Sequence, residues 1–181
     1  MRQAVLDAAL NILADKGIAD FAVSDVVALS GVHETTIYRR WGTRDDLIID
    51  TLLSNSEQRI PVPDTGSIRT DLYQLLGAIG EFLDTPSGRA LSQALSRGGD
   101  EPRWAQMRAT FWGTRLRLTQ PIIERAIERG EMPSDTDPRL LLETLIAPLQ
   151  FRTLSTREPI DQQLCTRLVD LLLDGAISGS R

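Results

Sequence analysis

Residues 23–41 read VSDVVALSGVHETTIYRRW, two short helix-forming runs that meet at Gly31. Glycine adopts the left-handed backbone conformation without steric cost, so it suits a sharp corner between two helices. The apolar residues around this corner have a spacing that lets them share one core: Val26, Val32, Ile37 and Trp41. The pattern predicts a helix-turn-helix packed on a first helix that ends at Gly17.

The second helix of this motif is predicted to expose its polar side chains. With the apolar residues turned inward, the outward positions are Glu34, Thr35, Tyr38 and Arg39. Hydroxyl, phenol and guanidinium groups on an exposed helix can reach base edges and phosphates from the major groove of DNA. The sequence therefore predicts a helix that contacts DNA.

Several residues of the motif also have an ordinary structural interpretation. Trp41 is predicted to close the core of the module, and Tyr38 is compatible with either core packing or DNA contact. The Arg39-Arg40 pair is compatible with a solvated face, and His33, the one histidine, with a surface or capping position. A single histidine without a cysteine or a paired acid offers no metal site, and we expect none.

The overall charge argues against a nucleic-acid partner. The chain carries a net charge of −5, and residues 1–60 hold nine acidic and six basic residues, a net charge of −3. Between residues 33 and 44 the balance is reversed, because three arginines face a single anion, Glu34. The arginines are Arg39, Arg40 and Arg44. Phosphate attraction acts within about one Debye length, ~8 Å in physiological salt, so a local basic cluster is enough.

Apolar residues recur at helical spacing along the whole chain, and no alternating pattern of useful length appears, which predicts an all-α protein. Residues 60–66 (IPVPDTG) contain two prolines and indicate a linker, after which Ser67 is predicted to cap a helix. A short helix is expected at 90–96, ended by Gly98-Gly99, and longer ones at 102–129, 140–154 and 160–177. A kink is expected at Pro121.

Thr43, followed by two acidic residues, predicts the start of a helix over 43–58 that bridges the two parts of the chain. We therefore expect an N-terminal three-helix helix-turn-helix module over 1–45 and a larger C-terminal helical bundle over 46–181. No apolar run reaches 18 residues, and a charge follows the N-terminus too early for a secretory signal. The single cysteine, Cys165, is predicted to be an inert buried thiol. These features favour a cytoplasmic protein.

The segment from Gly17 to Leu47 resembles the DNA-binding domain of the TetR/AcrR family of transcription regulators. The resemblance lies in Gly17, Val26, the Gly31-Val32 corner, the run TIYRRW at 36–41 and the run RDDL at 44–47. It covers about residues 2–50, and residues 121–152 are similar to the C-terminal domain of one branch. The resemblance implies a homodimer that binds a palindromic operator, represses transcription and is released by a small-molecule effector. It also implies that the helices at 140–154 and 160–177 form the dimer.

The resemblance assigns the DNA contacts to His33, Thr35, Thr36, Tyr38, Arg39 and Arg44. Thr35 and Thr36 stand where base or phosphate contacts fall, and Tyr38 matches a tyrosine that touches the DNA backbone. Arg44 stands where a lysine usually meets phosphate at the start of the fourth helix.

Three positions depart from the family pattern. Ala22 replaces a serine or threonine that often caps the second helix, and Val27 fills a site that usually holds alanine. Glu34 stands where a basic residue is frequent. Its carboxylate repels phosphate but can accept a hydrogen bond from a cytosine amino group.

The family resemblance also implies an effector pocket in the C-terminal domain. The candidates for its lining are apolar and mostly aromatic: Phe82, Leu91, Trp104, Met107, Phe111 and Trp112. Residues with this helical spacing are equally compatible with an ordinary bundle core.

The sequence bears on two further classes of function. A helical enzyme or carrier is disfavoured, because the sequence offers no nucleophile elbow, phosphate loop, metal spacing or His–acid pair, and no cofactor is expected. A helical protein-interaction adaptor that does not bind DNA remains the alternative, with the acidic net charge as its main support.

Overall fold

The architecture comes from a computed structural model that describes residues 1–97 and 102–178. Within these residues every regular element is helical, and no strand is present. The helices are α1 (Arg2–Lys16), α2 (Val23–Ser30), α3 (Glu34–Trp41), α4 (Arg44–Arg59), α5 (Ile68–Leu83), α6 (Pro86–Arg97), α7 (Pro102–Glu128), α8 (Pro138–Phe151), a π-helical turn (Arg152–Thr156) and α9 (Gln162–Ser178). The all-α prediction is confirmed. The predicted helix end at Gly98-Gly99 lies outside the described residues.

The chain forms two compact units. Unit 1 contains Met1–Arg59 and Thr85–Trp112, and unit 2 contains Ile60–Asp84 and Gly113–Arg181. The predicted boundary between 1–45 and 46–181 falls inside α4, so that division remains a prediction. Within the described ranges, no helix combines the length and apolar character that a membrane span requires.

The core of unit 1 lies between the helix-turn-helix and the helices α1 and α4. The core residues of α1 recur at helical spacing and include Val5 and Ala9, both without solvent exposure. Val26 from α2 and Leu47 and Ile48 from α4 are equally buried. Because α1 packs on both α2 and α4, it supplies the surface on which the helix-turn-helix rests.

Two predicted helix starts can be compared with the structure. Thr43 caps α4 as predicted, since its Oγ1 accepts the Asp46 N–H at 3.1 Å. The helix expected at 90–96 instead begins at Pro86, four residues earlier. Proline suits the first turn of a helix, where its missing N–H costs nothing. Oγ1 of Thr85 accepts the Gly88 N–H at 3.0 Å and completes the cap.

Ser67 is the N-cap residue of α5, as predicted, but its side chain makes no capping hydrogen bond. The Ile68 N–H instead donates to Oε2 of Glu131 at 2.6 Å, a residue 63 positions away in the sequence. Glu131 also accepts from Nε of Arg129 at 2.7 Å. A distant carboxylate therefore replaces the local hydroxyl at the positive end of α5.

Unit 2 buries the apolar faces of α5, α7, α8 and α9. Its fully buried leucines and isoleucines are Leu72, Leu75, Leu76, Ile122, Ile123, Leu142, Leu145 and Leu149. Gly80 allows close packing of α5, because a Cβ there would lie 2.7 Å from Cγ2 of Ile160. Cys165 is buried as predicted, and burial raises the pKa of its thiol. Pro121 lies inside α7.

Candidate nucleic-acid interface

The corner between α2 and α3 is set by Gly31. Its φ of 69° and ψ of 8° are left-handed, and its N–H donates to the Val27 carbonyl at 2.9 Å. The carbonyl of His33 then accepts the N–H groups of Thr36 and Ile37 at 2.9 and 3.2 Å, which starts α3. His33 is the N-cap residue of α3, but its side chain makes no capping bond.

Helix α3 exposes most of its side chains. Ile37 is its one buried residue, with 1% exposure, whereas Tyr38 is 42% exposed. The remaining exposed residues are Glu34, Thr35, Arg39 and Arg40. Thr36 and Trp41 are half-buried. The predicted division of α3 into an inward and an outward side is therefore confirmed, with Trp41 only partly inside.

Trp41 is held by a polar contact that the sequence did not predict. Its indole Nε1 donates to Oδ2 of Asp50 at 2.7 Å, and Nη2 of Arg2 donates to Oδ1 of the same carboxylate at 2.7 Å. The end of α3 is thereby joined to α4 and α1. Asp50 lies nine residues after Trp41 on a different helix, so no local sequence pattern indicates the pair.

Arg44 makes the densest set of contacts near the motif. Its Nε donates to the Phe21 carbonyl at 2.9 Å, and Nη2 donates to the carbonyls of Ile18 and, at 3.5 Å, Ala19. Nη1 pairs with Asp45 at 2.9 Å. The guanidinium also lies over the Phe21 ring, 5.7 Å from its centroid. The residue predicted to meet phosphate thus binds the loop between α1 and α2.

The other cations of unit 1 differ in how far they are neutralised. Nζ of Lys16 pairs with Asp25 at 2.8 Å, and this hydrogen bond raises the pKa of the lysine. Arg40 lies over the Trp41 ring at 5.5 Å. Arg39 is exposed on α3, and no hydrogen bond or ion pair of its side chain occurs within the described part of the chain. Arg39 is therefore the cation of α3 best placed to attract an anion.

The structure brings the predicted DNA-contact residues together in two groups. Five of them lie on α3 or at its N-cap: His33, Thr35, Thr36, Tyr38 and Arg39. The sixth, Arg44, begins α4 and faces the loop before α2. Ala22 occupies the N-cap of α2 and provides no side-chain cap, as its departure from the family pattern implies.

The predicted effector residues are divided between the two units. Phe82 is buried in unit 2, whereas Leu91, Met107 and Phe111 are buried in unit 1. Trp104 and Trp112 are half-buried, and Trp112 meets Phe111 edge-to-face with ring centroids 5.4 Å apart. Trp104 also lines a cavity of about 500 Å³ in unit 1, beside the end of α1 and the Gly17–Asp20 loop. A shared effector site for the six residues remains a prediction.

Comparisons with known proteins match both parts of the chain. The family model described as "Bacterial regulatory proteins, tetR family" matches residues 5–51. The model described as "Tetracyclin repressor-like, C-terminal domain" matches residues 62–172. The second match alone covers more than half of the chain.

Curated relatives and solved structures agree with these matches. The HTH-type transcriptional regulator AqdR of Rhodococcus erythropolis is 35% identical, covering 96% of this chain and 84% of its own. The DNA-binding transcriptional repressor TetR of Mycobacteroides abscessus is 32% identical, covering 94% and 90%.

Among solved structures, the TetR family transcription regulator SCO0332 superposes with a TM-score of 0.84 and 31% identity, covering 96% of this chain and 97% of that one. FadR of Bacillus subtilis, solved in complex with stearoyl-CoA, shares the fold with a TM-score of 0.72 and 18% identity, covering 97% and 99%. With an exposed recognition helix and both family domains in place, the chain belongs to the TetR family, a non-enzymatic family of helix-turn-helix, DNA-binding transcription regulators.

Proposed function

We propose that this regulator is a ligand-responsive repressor that binds a palindromic operator as a homodimer and is released by a small-molecule effector. The observation that carries the proposal is the exposure of α3, which buries only Ile37 and presents its hydroxyl, phenol and guanidinium groups outward. Such a helix can enter the major groove of DNA. Because a chromosomal operator lies in the cytoplasm, we also predict a cytoplasmic location for this regulator.

The DNA contacts are proposed to come from the outward side of α3. Thr35 and Thr36 are placed for base edges or phosphates, and Tyr38 and Arg39 for the DNA backbone. His33 precedes the helix and is exposed at the same end. Glu34 is the one anion of this surface, and it can accept a hydrogen bond from a cytosine amino group. An acidic residue here favours operators with a cytosine at the corresponding position.

A second copy of the chain is proposed to pair along α8 and α9. Among the side chains of these helices that the structure describes, large apolar ones are exposed at Leu140 (61%), Phe151 (60%) and Leu171 (74%). Exposed apolar side chains on two neighbouring helices are typical of an interface. Two copies would cover them in a four-helix arrangement and present two recognition helices to half-sites ~34–36 Å apart.

Release by an effector requires only a modest coupling free energy. A hundredfold loss of operator affinity corresponds to ~2.7 kcal/mol, within the usual range for allosteric proteins. The candidate effector contacts are Phe82, Leu91, Trp104, Met107, Phe111 and Trp112. The complex of Bacillus subtilis FadR with stearoyl-CoA makes acyl-CoA a reasonable first compound for a screen. Repression is supported by the relative from Mycobacteroides abscessus that is named as a repressor.

Selection of bound sites from random DNA tests the proposal. We expect an inverted repeat to be enriched, and sedimentation of the complex to give two chains per site. Leu171→Glu should yield monomers with weak operator binding. Leu118→Glu, which alters a moderately exposed leucine on α7, is the matched control and should remain dimeric. No enriched sequence at low salt, with the fold intact, would favour the adaptor alternative instead.

A further inference from the structure

Arg44 connects the two ends of the helix-turn-helix. Phe21 directly precedes Ala22, the N-cap of α2, and Arg44 is the first residue of α4, two residues after the C-cap of α3. The 2.9 Å hydrogen bond from Arg44 Nε to the Phe21 carbonyl therefore joins the two residues that flank the segment Ala22–Thr43. Since α3 lies within this segment, the contact constrains the orientation of α3 in unit 1.

We propose that Arg44 is a positioning residue that holds α3 in its DNA-reading orientation, and that it does not itself bind phosphate. This inference rests on the proposed function, because it assumes that α3 recognises a specific operator. It departs from the role that the family resemblance gives to this position.

The surroundings of Arg44 are unfavourable for a phosphate. Nε and Nη2 are directed to backbone carbonyls of the α1–α2 loop, and Nη1 is paired with Asp45 at 2.9 Å. The next residue, Asp46, is also acidic. A phosphate approaching the guanidinium would meet carboxylate repulsion and would have to displace existing hydrogen bonds.

The arrangement depends on arginine rather than on positive charge alone. A guanidinium carries five N–H donors in a rigid planar fork, which allows it to reach several carbonyls and stack on the Phe21 ring together. Lysine provides one compact ammonium group that cannot reproduce this set of directions. Arg44→Lys therefore keeps the charge and removes the geometry, which separates the two roles.

The test compares Arg44→Lys with the wild-type protein on the selected operator and on unrelated DNA over a range of salt concentrations. We expect Arg44→Lys to lose at least tenfold in operator affinity while binding to unrelated DNA and its salt slope stay unchanged. A phosphate contact predicts the reverse: Arg44→Lys would bind like wild type, and Arg44→Gln would lower the salt slope by about 0.9 per subunit. That result would overturn the inference.

A matched variant distinguishes the positioning role of Arg44 from a general loss of stability caused by Arg44→Lys. Ile48→Val changes a buried core residue of the same helix that is not a partner of the Arg44 guanidinium. It should lower thermal stability without altering the ratio of operator to unrelated DNA affinity. If Ile48→Val lowers that ratio as much as Arg44→Lys, the positioning role is rejected.

A measurement on the wild-type protein covers the case in which Arg44→Lys does not fold. The Nε–H resonance of Arg44 should stay unchanged on addition of operator DNA, whereas that of Arg39 should shift. An Arg44 shift as large as that of Arg39 would contradict the proposal.

If the wild-type protein shows no operator preference at all, the proposed function fails, and this inference fails with it. If preference is present and Arg44→Lys retains it, only this inference fails.

Discussion

The indole Nε1 of Trp41 donates a 2.7 Å hydrogen bond to Oδ2 of Asp50, which links the last residue of the recognition helix to the middle of α4. The other oxygen of the same carboxylate accepts from Arg2 on α1. One acidic side chain thus holds three helices of unit 1 at the point where α3 ends. Because this point adjoins the proposed DNA-contact residues of α3, we expect the contact to affect both stability and DNA recognition.

Asp50→Asn should lower the free energy of unfolding by about 1 kcal/mol, because a charged acceptor of two hydrogen bonds becomes a neutral amide with a single acceptor oxygen. The partial exposure of Asp50 and Arg2 keeps the effect this small. Urea unfolding measures it. Asp7→Asn removes an equal charge from α1, where the Asp7 carboxylate accepts a hydrogen bond from Gln3 one helical turn earlier, and this variant should be near neutral. Equal losses in both variants would show that charge alone, and not the contact, is responsible.

Gly31→Ala should lower the free energy of unfolding by about 1 kcal/mol, because Gly31 has a φ of 69° and alanine disfavours this conformation. An added Cβ would meet no atom within 4 Å, so the cost comes from the backbone alone. Gly77→Ala is the matched control: Gly77 lies inside α5, also with open space, and alanine should stabilise it by about 0.5–1 kcal/mol. If Gly31→Ala and Gly77→Ala shift the urea midpoint in the same direction, this account is contradicted.

Local sequence signals were sufficient for most of the fold. Gly31 and the apolar spacing of residues 23–41 predicted the helix-turn-helix, and Thr43 predicted the start of α4 to within one residue. These features act through neighbouring backbone atoms, so they can be read from a short window of sequence. The predicted start of α6 at residue 90 was four residues too late, because proline at residue 86 is well tolerated in a first helical turn.

Contacts between distant residues could not be predicted in the same way. The cap of α5 comes from Glu131, 63 residues from Ile68, and Asp50 is paired with Trp41 on another helix. Such pairs depend on how helices pack, which helical periodicity alone does not determine. Arg44 was recognised as functional by resemblance, but its contacts with the α1–α2 loop follow only from the three-dimensional arrangement.

Acidification should weaken unit 2 through Glu131. Its hydrogen bonds from Arg129 and the Ile68 N–H hold the pKa of this carboxyl below its usual value of 4.5. A lowered folded-state pKa contributes stability that is complete above the unfolded value and is lost as the pH falls through the folded value. Glu131→Gln should therefore be less stable than wild type at neutral pH, with a difference that narrows below about pH 4.5.

Thermal unfolding at a series of pH values measures the effect of Glu131→Gln. Glu124→Gln is the control, since Glu124 is exposed and accepts a local hydrogen bond from Gln120 one helical turn earlier. It should be near neutral at every pH. A Glu131→Gln deficit that stays constant from pH 7 to the acid range would contradict the assigned role of the charge.

Thr35→Ala should change sequence preference and leave stability unchanged. Thr35 is exposed on α3, so its removal creates no cavity. We propose that its hydroxyl and methyl groups meet base edges. We expect the preference for one base pair of each half-site to fall several-fold in binding to a panel of single-base operator variants. Thr70→Ala, at an exposed position of α5, is the control. If Thr35→Ala instead loses the same affinity for every operator variant, Thr35 contacts a phosphate and not a base.

Arg39→Ala should weaken binding to every DNA sequence and reduce the salt dependence of binding. Its guanidinium is exposed on α3 without an ion pair in the described residues, so it can replace a counterion on a DNA phosphate. Each lost phosphate contact lowers the slope of log affinity against log salt by about 0.9, or about 1.8 for a dimer. Fluorescence anisotropy with operator and unrelated DNA at several salt concentrations measures both slopes. Arg117→Ala removes an exposed arginine from α7, where its Nη2 donates to Oγ1 of Thr114, and should leave both slopes unchanged. If the salt slope of Arg39→Ala is unchanged and affinity is lost for the operator alone, Arg39 contacts a base and not the phosphate backbone.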